Sequence, residues 1–290
     1  MSYNALEEIV RECREKDLPF DEIILLDDMN ERNVRREESV RTMRDMWEAM
    51  KGADRNYDGA LQSRSGLVGG AGETMRTYVE RGNPLCGSFV GKVMASALAM
   101  GESNACMKRI VAAPTAGACG VLPAVLVNYQ KENGTADDEI VRALYTAAGI
   151  GQVVAARAYI AGASGGCQAE IGTASAMAAG ALTTLRGGTP SQITHAAAMA
   201  LKNLLGLVCD PVGGLVEVPC VKRNVIGSVN ALSAADMALA GITSRIPPDQ
   251  VIDAMREVGD QMHPSLRETG QGGLANTPAA REWCAAQEEE

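Results

Sequence analysis

The sequence predicts an all-α fold: a compact multi-helix domain packed through small side chains and interrupted by glycine-rich turns. No segment alternates apolar and polar residues over strand lengths with β-branched enrichment. Aromatic residues make up only 3% of the 290, whereas glycine occurs 31 times among long alanine runs, so the helices must approach closely without rings between them. Small residues also recur at helical spacing. Gly87, Gly91, Ala95 and Ala99 fall every four residues and leave a smooth seam for a neighbouring helix.

Taken in order, residues 1–60 hold 26 of the 63 charged side chains, 16 acidic and 10 basic, and read as a charged N-terminal helical arm. A peripheral set of helices of the same domain is the simpler form of that reading. Within the arm, Glu31 to Lys51 alternates acidic and basic residues around Val34, Val40, Met43, Met46 and Trp47, a helix with one apolar edge. The stretch Ser65-Gly66-Leu67-Val68-Gly69-Gly70-Ala71-Gly72 fits neither the dinucleotide nor the P-loop fingerprint and reads as a turn. A second turn, Ala113 to Gly120, follows Ile110-Val111 and opens into a helix through Leu126. Its N–H groups and the Thr115 hydroxyl suit a bound carboxylate and plain capping equally well.

Further helix starts are announced by Thr135 with Asp138 three residues on, and by Thr189-Pro190 with Gln192. Ile193, Ala197, Ala200, Leu204 and Leu205 then form an apolar stripe that Asp210-Pro211 interrupts, and Val251, Ile252, Met255 and Val258 repeat with helical spacing after Pro248.

A net charge of −9 argues against nucleic acid and anionic membrane surfaces as partners. Met1 to Asp17 lacks the apolar run of a signal peptide, and Ile171 to Leu185 is too short to span a bilayer, so a soluble cytoplasmic protein is expected. Eight cysteines without a secretory signal fit a reducing compartment.

Of those eight, Cys167, Cys209 and Cys220 each sit in a glycine- or proline-bearing turn, separated by 42 and 11 residues. Thiolates on turns can converge on a metal site, although this spacing is neither a paired zinc motif nor a ferredoxin run, and free cysteine is also a common core residue. Cys119 lies in the second turn as core or supporting residue. The only two histidines are His195, read onto a solvated helix face, and His263, read into a loop before Pro264, so general acid–base options are few.

Five motifs in order carry a family resemblance: Ser65 to Gly70, Asn104 to Pro123, Gly165 to Gly172, Gly206 to Gly214 with Val218-Pro219-Cys220, and Leu266 to Ala275. Together they resemble the iron–sulfur-dependent L-serine dehydratases, in particular the α chain of the two-chain form. The resemblance covers roughly residues 60–280 and implies a helical iron–sulfur catalytic domain over 61–290. It implies a [4Fe–4S] cluster held by Cys167, Cys209 and Cys220, with no pyridoxal phosphate. The fourth iron then acts as a Lewis acid on the hydroxyl of L-serine, which loses water and yields pyruvate and ammonia. It further implies substrate contacts at Ser65, Thr115 and Gly117, with Asn104 and Gln168 behind them.

This chain lacks the serine-serine-serine-histidine-threonine turn that the family carries on a β chain or a fused domain. A β-chain partner supplying the base is therefore expected, and no catalytic base is assigned within this chain. Fused relatives that end in a cysteine able to approach the cluster differ from this chain, where six residues follow Cys284, so that role is not carried over. Two rivals remain open at this point: a related iron–sulfur L-cysteine desulfidase, and a non-catalytic helical protein whose structural zinc draws a fourth ligand from Cys119.

Overall fold

In a computed structural model that describes residues 2–288, leaving Met1, Glu289 and Glu290 outside, the chain is helical throughout. The helices are α1 (Leu6–Lys16), α2 (Phe20–Arg32), α3 (Arg36–Arg55), α4 (Ala71–Glu80), α5 (Gly87–Ala105), α6 (Val121–Asn133) and α7 (Asp137–Arg157). A single turn α8 (Gly162–Gly165) follows, then α9 (Thr173–Leu185), α10 (Pro190–Lys202), α11 (Cys220–Leu239), α12 (Pro248–Gln261) and α13 (Pro278–Glu288). Among the described residues the only β pairing is one isolated parallel bridge between Cys209 and Arg267.

Helix α9 is the centre of the packing. Its residues Thr173 to Thr183 are all buried, as expected of a helix that is apolar or small on every side. Helices α6, α7, α10 and α11 close around it. Glycine sets how closely: a Cβ on Gly227 of α11 would stand 2.9 Å from both Val121 and Ile171, and one on Gly180 would collide with Ile150. The α5 seam works the same way, since a Cβ on Gly91 would lie 2.6 Å from Val79 of α4.

The charged N-terminal helices contribute large side chains to the same core: Leu6, Ile9, Phe20, Ile23, Ile24 and Trp47 are nearly inaccessible and belong to one cluster with α6, α7 and α9. Trp47 donates its indole N–H to Asp137 Oδ1 at 2.7 Å, and Lys51 bonds the same carboxylate, which ties α3 to the start of α7. The helix expected from Glu31 begins instead at Arg36. Asn33 closes α2 in the left-handed conformation at φ 53°, so Val34 lies between two helices.

Helix α7 starts at Asp137, where Glu139, not Thr135, accepts the flanking N–H of Ala136 at 3.1 Å. The expected capping box of α10 is present. The Thr189 N–H donates to Gln192 Oε1 at 2.9 Å, and the Gln192 N–H donates to Thr189 Oγ1 at 3.2 Å.

Candidate functional site

Four cross-connections bring the sequence motifs together. The first two come from the N-terminal face of α11, where Cys220, Arg223 and Asn224 sit at i, i+3 and i+4 and therefore point the same way. Asn224, 1% exposed, receives the Gly120 N–H and donates to the Gly117 carbonyl, both at 2.8 Å, so it clamps the Thr115 to Gly120 turn. Arg223 donates to Val208 O at 2.7 Å, Cys167 Sγ at 3.3 Å and Asp210 Oδ1 at 2.8 Å, spanning the turns of two cysteines. Asp210 in turn accepts the Leu274 N–H at 2.8 Å, which holds the Leu266 to Ala275 motif over the Cys209 turn. The fourth connection completes that overlay through backbone bonds: Cys209 N–H to Leu266 O at 2.8 Å, and Glu268 N–H to Cys209 O at 2.7 Å.

Cys167 is set by its neighbours on both sides. Gly166 has φ 74°, and a Cβ there would meet Leu207 O at 2.9 Å, so only glycine fits this turn. Gln168 is 1% exposed and opens a π-helical turn, Gln168–Gly172. Its amide donates to Met255 O and accepts the Gly206 N–H, each at 2.9 Å, so its side chain is committed to fixing the turn. Asn104 likewise supports the second turn, donating to Ala116 O at 3.3 Å.

The three thiols Cys167, Cys209 and Cys220 are all buried. The neighbouring Cys209 thiol, and then the charge of Arg223, lower the Cys167 pKa against the opposing effect of burial. The Cys167 thiol and burial push Cys209 up. Burial pushes Cys220 up to about 12. Burial thus favours the protonated form of Cys209 and Cys220, and a bound metal group would reverse that.

The donor chemistry is that of the cluster the resemblance implies, three buried thiols on three turns with a guanidinium bonded to one sulfur, although among the described residues no three such side chains stand close enough together to hold a metal ion as they are placed. Cys119, the ligand that a closed zinc site would recruit, gives its S–H to Met100 O at 3.6 Å, and burial pushes it to about 12. Cys284 lies on α13, whose Trp283 packs 2.9 Å from the position of a Cβ on Gly213; Cys284 Sγ is 3.7 Å from the same point.

The expected substrate residues prove to be tied to carboxylates. Ser65 and Ser63 both donate to Glu217 Oε2, and Glu217 is 7% exposed. Thr115 donates its hydroxyl proton to Glu170 Oε1, and a Cβ on Gly117 would stand 2.7 Å from the same oxygen. Glu170 is 9% exposed, and burial raises its pKa. Sequence reasoning missed Glu170, Glu217, Arg223 and Asn224. Helical spacing from Cys220 was the available signal for the last two.

The glycine stretch after Ser65 is organised by Glu102, 2% exposed, which accepts the Ala71 N–H at 2.7 Å, the Gly72 N–H at 3.0 Å and the Tyr57 hydroxyl at 2.6 Å. His195 is not on a solvated face as expected. It is half-buried, accepts the Ser244 N–H at 3.2 Å, and has its pKa lowered by burial and then by Lys202. His263 lies in the expected loop and accepts the Ser265 N–H at 3.2 Å. Two surface clefts of 570 and 620 Å³ are lined by none of the site residues named above.

The family model described as "Serine dehydratase alpha chain" matches residues 14–275. The "Probable L-serine dehydratase, alpha chain" of Bacillus subtilis (strain 168) is 45% identical over 280 residues, covering 97% of this chain and 93% of that protein. The "L-serine dehydratase, alpha chain" of Peptoniphilus asaccharolyticus is 41% identical over 275 residues, covering 94% of each. A longer relative, the "L-serine dehydratase" of Streptomyces coelicolor, is 39% identical over 278 residues, which are 93% of this chain and 60% of that protein.

Proposed function

This chain belongs to the serine dehydratase alpha-chain family, and from that premise we propose that it is the α subunit of an L-serine dehydratase, a carbon–nitrogen lyase that converts L-serine to pyruvate and ammonia. Cys167, Cys209 and Cys220 are the proposed ligands of a [4Fe–4S] cluster. When bound, that cluster supplies an open iron whose Lewis acidity makes the substrate hydroxyl a better leaving group. The observation that carries the reading is the meeting of the three buried thiol turns on the N-terminal face of α11, with Arg223 bonded to Cys167 Sγ and Asp210.

The chain's own residues bind and position in this proposal. Asn224 and Gln168 fix the two turns that flank the thiols, which keeps the reacting geometry narrow. Ser65, Thr115 and Gly117 are the proposed substrate contacts, acting with the carboxylates Glu217 and Glu170 that they touch. The Cα proton is proposed to go to a base on a β chain carrying the serine-serine-serine-histidine-threonine turn, so the working enzyme is a heterodimer at least. Among the described residues no helix is long and apolar enough to cross a membrane, and a cytoplasmic setting, where thiols stay reduced, is proposed with it.

Anaerobic purification of the chain with and without its β partner tests this. About four irons per chain, by the cluster type proposed, with serine turnover only in the pair and loss of activity in air, is the expected result. Iron-free protein that no reconstitution can load would overturn it.

A further inference from the structure

Glu170 is a buried carboxylate with no cation of its own. Among the described residues it forms no ion pair; the charge of Arg223 reaches it, against that of Glu268, but the Arg223 hydrogen bonds go to Cys167, Val208 and Asp210. Buried carboxylates are ordinarily paired, because an unpaired charge loses its hydration without return. One oxygen, Oε1, accepts the Thr115 hydroxyl proton. The other, Oε2, has no hydrogen-bond partner among the described residues and, unlike Glu12 Oε2 and Thr173 Oγ1, is not sealed from solvent.

Gly117 faces this carboxylate. A Cβ there would stand 2.7 to 2.8 Å from its carbon and both oxygens, so the absence of a side chain is what leaves that face open. Its charge reaches two thiols of the site, Cys167 and Cys220, as well as Cys119. A carboxyl without an ion pair, with one oxygen open and its charge reaching the thiols, is complementary to a small organic ammonium.

We infer that Glu170 receives the α-ammonium group of the amino-acid substrate, with Thr115 orienting one carboxylate oxygen and the second oxygen taking the ligand's N–H. This rests on the reading of the site as that of a serine dehydratase α chain. It assigns the substrate's amino end to this chain and makes Glu170 a determinant of specificity for amino acids over their deaminated analogues. The ammonium restores the missing positive charge, so binding and ionisation of the buried carboxyl reinforce each other.

The test uses the cluster-loaded complex with its β chain and compares wild type with Glu170→Gln, measuring KM and kcat for L-serine and inhibition constants for two unreactive ligands. L-Alanine keeps the ammonium and lacks the leaving group; 3-hydroxypropanoate keeps hydroxyl and carboxylate and lacks the ammonium. The expected result is a rise of about tenfold or more in the L-serine KM and the L-alanine constant, with the 3-hydroxypropanoate constant within about twofold, as for loss of one charge-assisted bond. Equal weakening of both inhibitors, or a fall in kcat with neither constant changed, would overturn the inference. Thr115→Val retains the carboxylate, and a smaller loss with the same selectivity is expected. A non-selective loss there overturns the inference even where Glu170→Gln does not fold. A wild-type complex without serine turnover would overturn the reading of the site and this inference with it, whereas a competent wild type with parallel losses overturns the inference alone.

Discussion

Arg223 donates to Cys167 Sγ at 3.3 Å with one terminal nitrogen and to Asp210 Oδ1 at 2.8 Å with the other. The pair Arg223–Asp210 is buried, with side chains 14% and 4% exposed. One guanidinium thereby sets the position of a thiol and the carboxylate next to a second thiol. A planar fork can do this, whereas a point charge on a flexible stem cannot.

Replacing Arg223 with Gln leaves Asp210 buried without its cation. A loss of about 3–5 kcal/mol in unfolding free energy is expected from breaking a buried pair. Chemical denaturation of the variant and of Arg223→Lys measures it, with lysine recovering only part of the loss. Stability within error of wild type in both variants would contradict the role given to this arginine.

Gln168→Leu removes a donor from Met255 O and an acceptor from the Gly206 N–H. Each group left unsatisfied in the interior costs about 1–3 kcal/mol. Thermal melts are expected to fall accordingly, and the Cys167 turn should open first. Faster amide exchange at Gly206 than at residues of α9 is the signature to look for.

Gly117→Ala places a methyl 2.7 Å from the Glu170 carboxylate. Overpacking of this kind costs about 1–3 kcal/mol, and activity should fall beyond what the melt accounts for, because the methyl covers the open carboxylate. Gly52→Ala is the control. Nothing lies within 4 Å of its Cβ in α3, so a gain of about 0.5–1 kcal/mol is expected there.

Asp137 gives a pH dependence outside the site. Bonds from Gln130 first, then Trp47 and Lys51, hold its pKa down from 3.8 to about 2. The folded state thus binds this proton less tightly than the unfolded chain. The stabilisation is complete above pH 4 and is lost as pH falls from about 4 through about 2. With the side chain 38% exposed, solvent screening leaves about 1 kcal/mol of it. Asp137→Asn should flatten the stability curve in that window, and an unchanged slope would contradict the assignment.

The helices were legible because small residues and apolar stripes recur at helical spacing, as in Gly87 to Ala99 and Val251 to Met255. Boundaries were less so. Asn33 in a left-handed cap and Glu139 as the working N-terminal acceptor each moved a helix start, since several polar residues in a row compete for one capping role. The cysteine turns were visible through their glycines and prolines, but the side chains that connect them were not. Helical spacing puts Arg223 and Asn224 on the face of Cys220, but what they bond, and the part Glu217 plays, emerge only when the fold brings their turns onto distant segments. Glu170 had a local signal: it is the one charged residue between Arg157 and Arg186, in a stretch otherwise of small and apolar residues. A lone carboxylate in so apolar a sequence has to be buried, and a buried carboxylate has to have a partner.

The most direct measurement is iron and acid-labile sulfide content after anaerobic reconstitution of the wild-type chain and of Cys167→Ala, Cys209→Ala and Cys220→Ala, with serine turnover assayed alongside in the presence of the β chain. Stoichiometric loading and turnover in the wild type, with each single substitution removing both while the helical fold remains, is the expected result. Equal loading in wild type and all three variants would contradict the assignment of these thiols as the cluster's ligands.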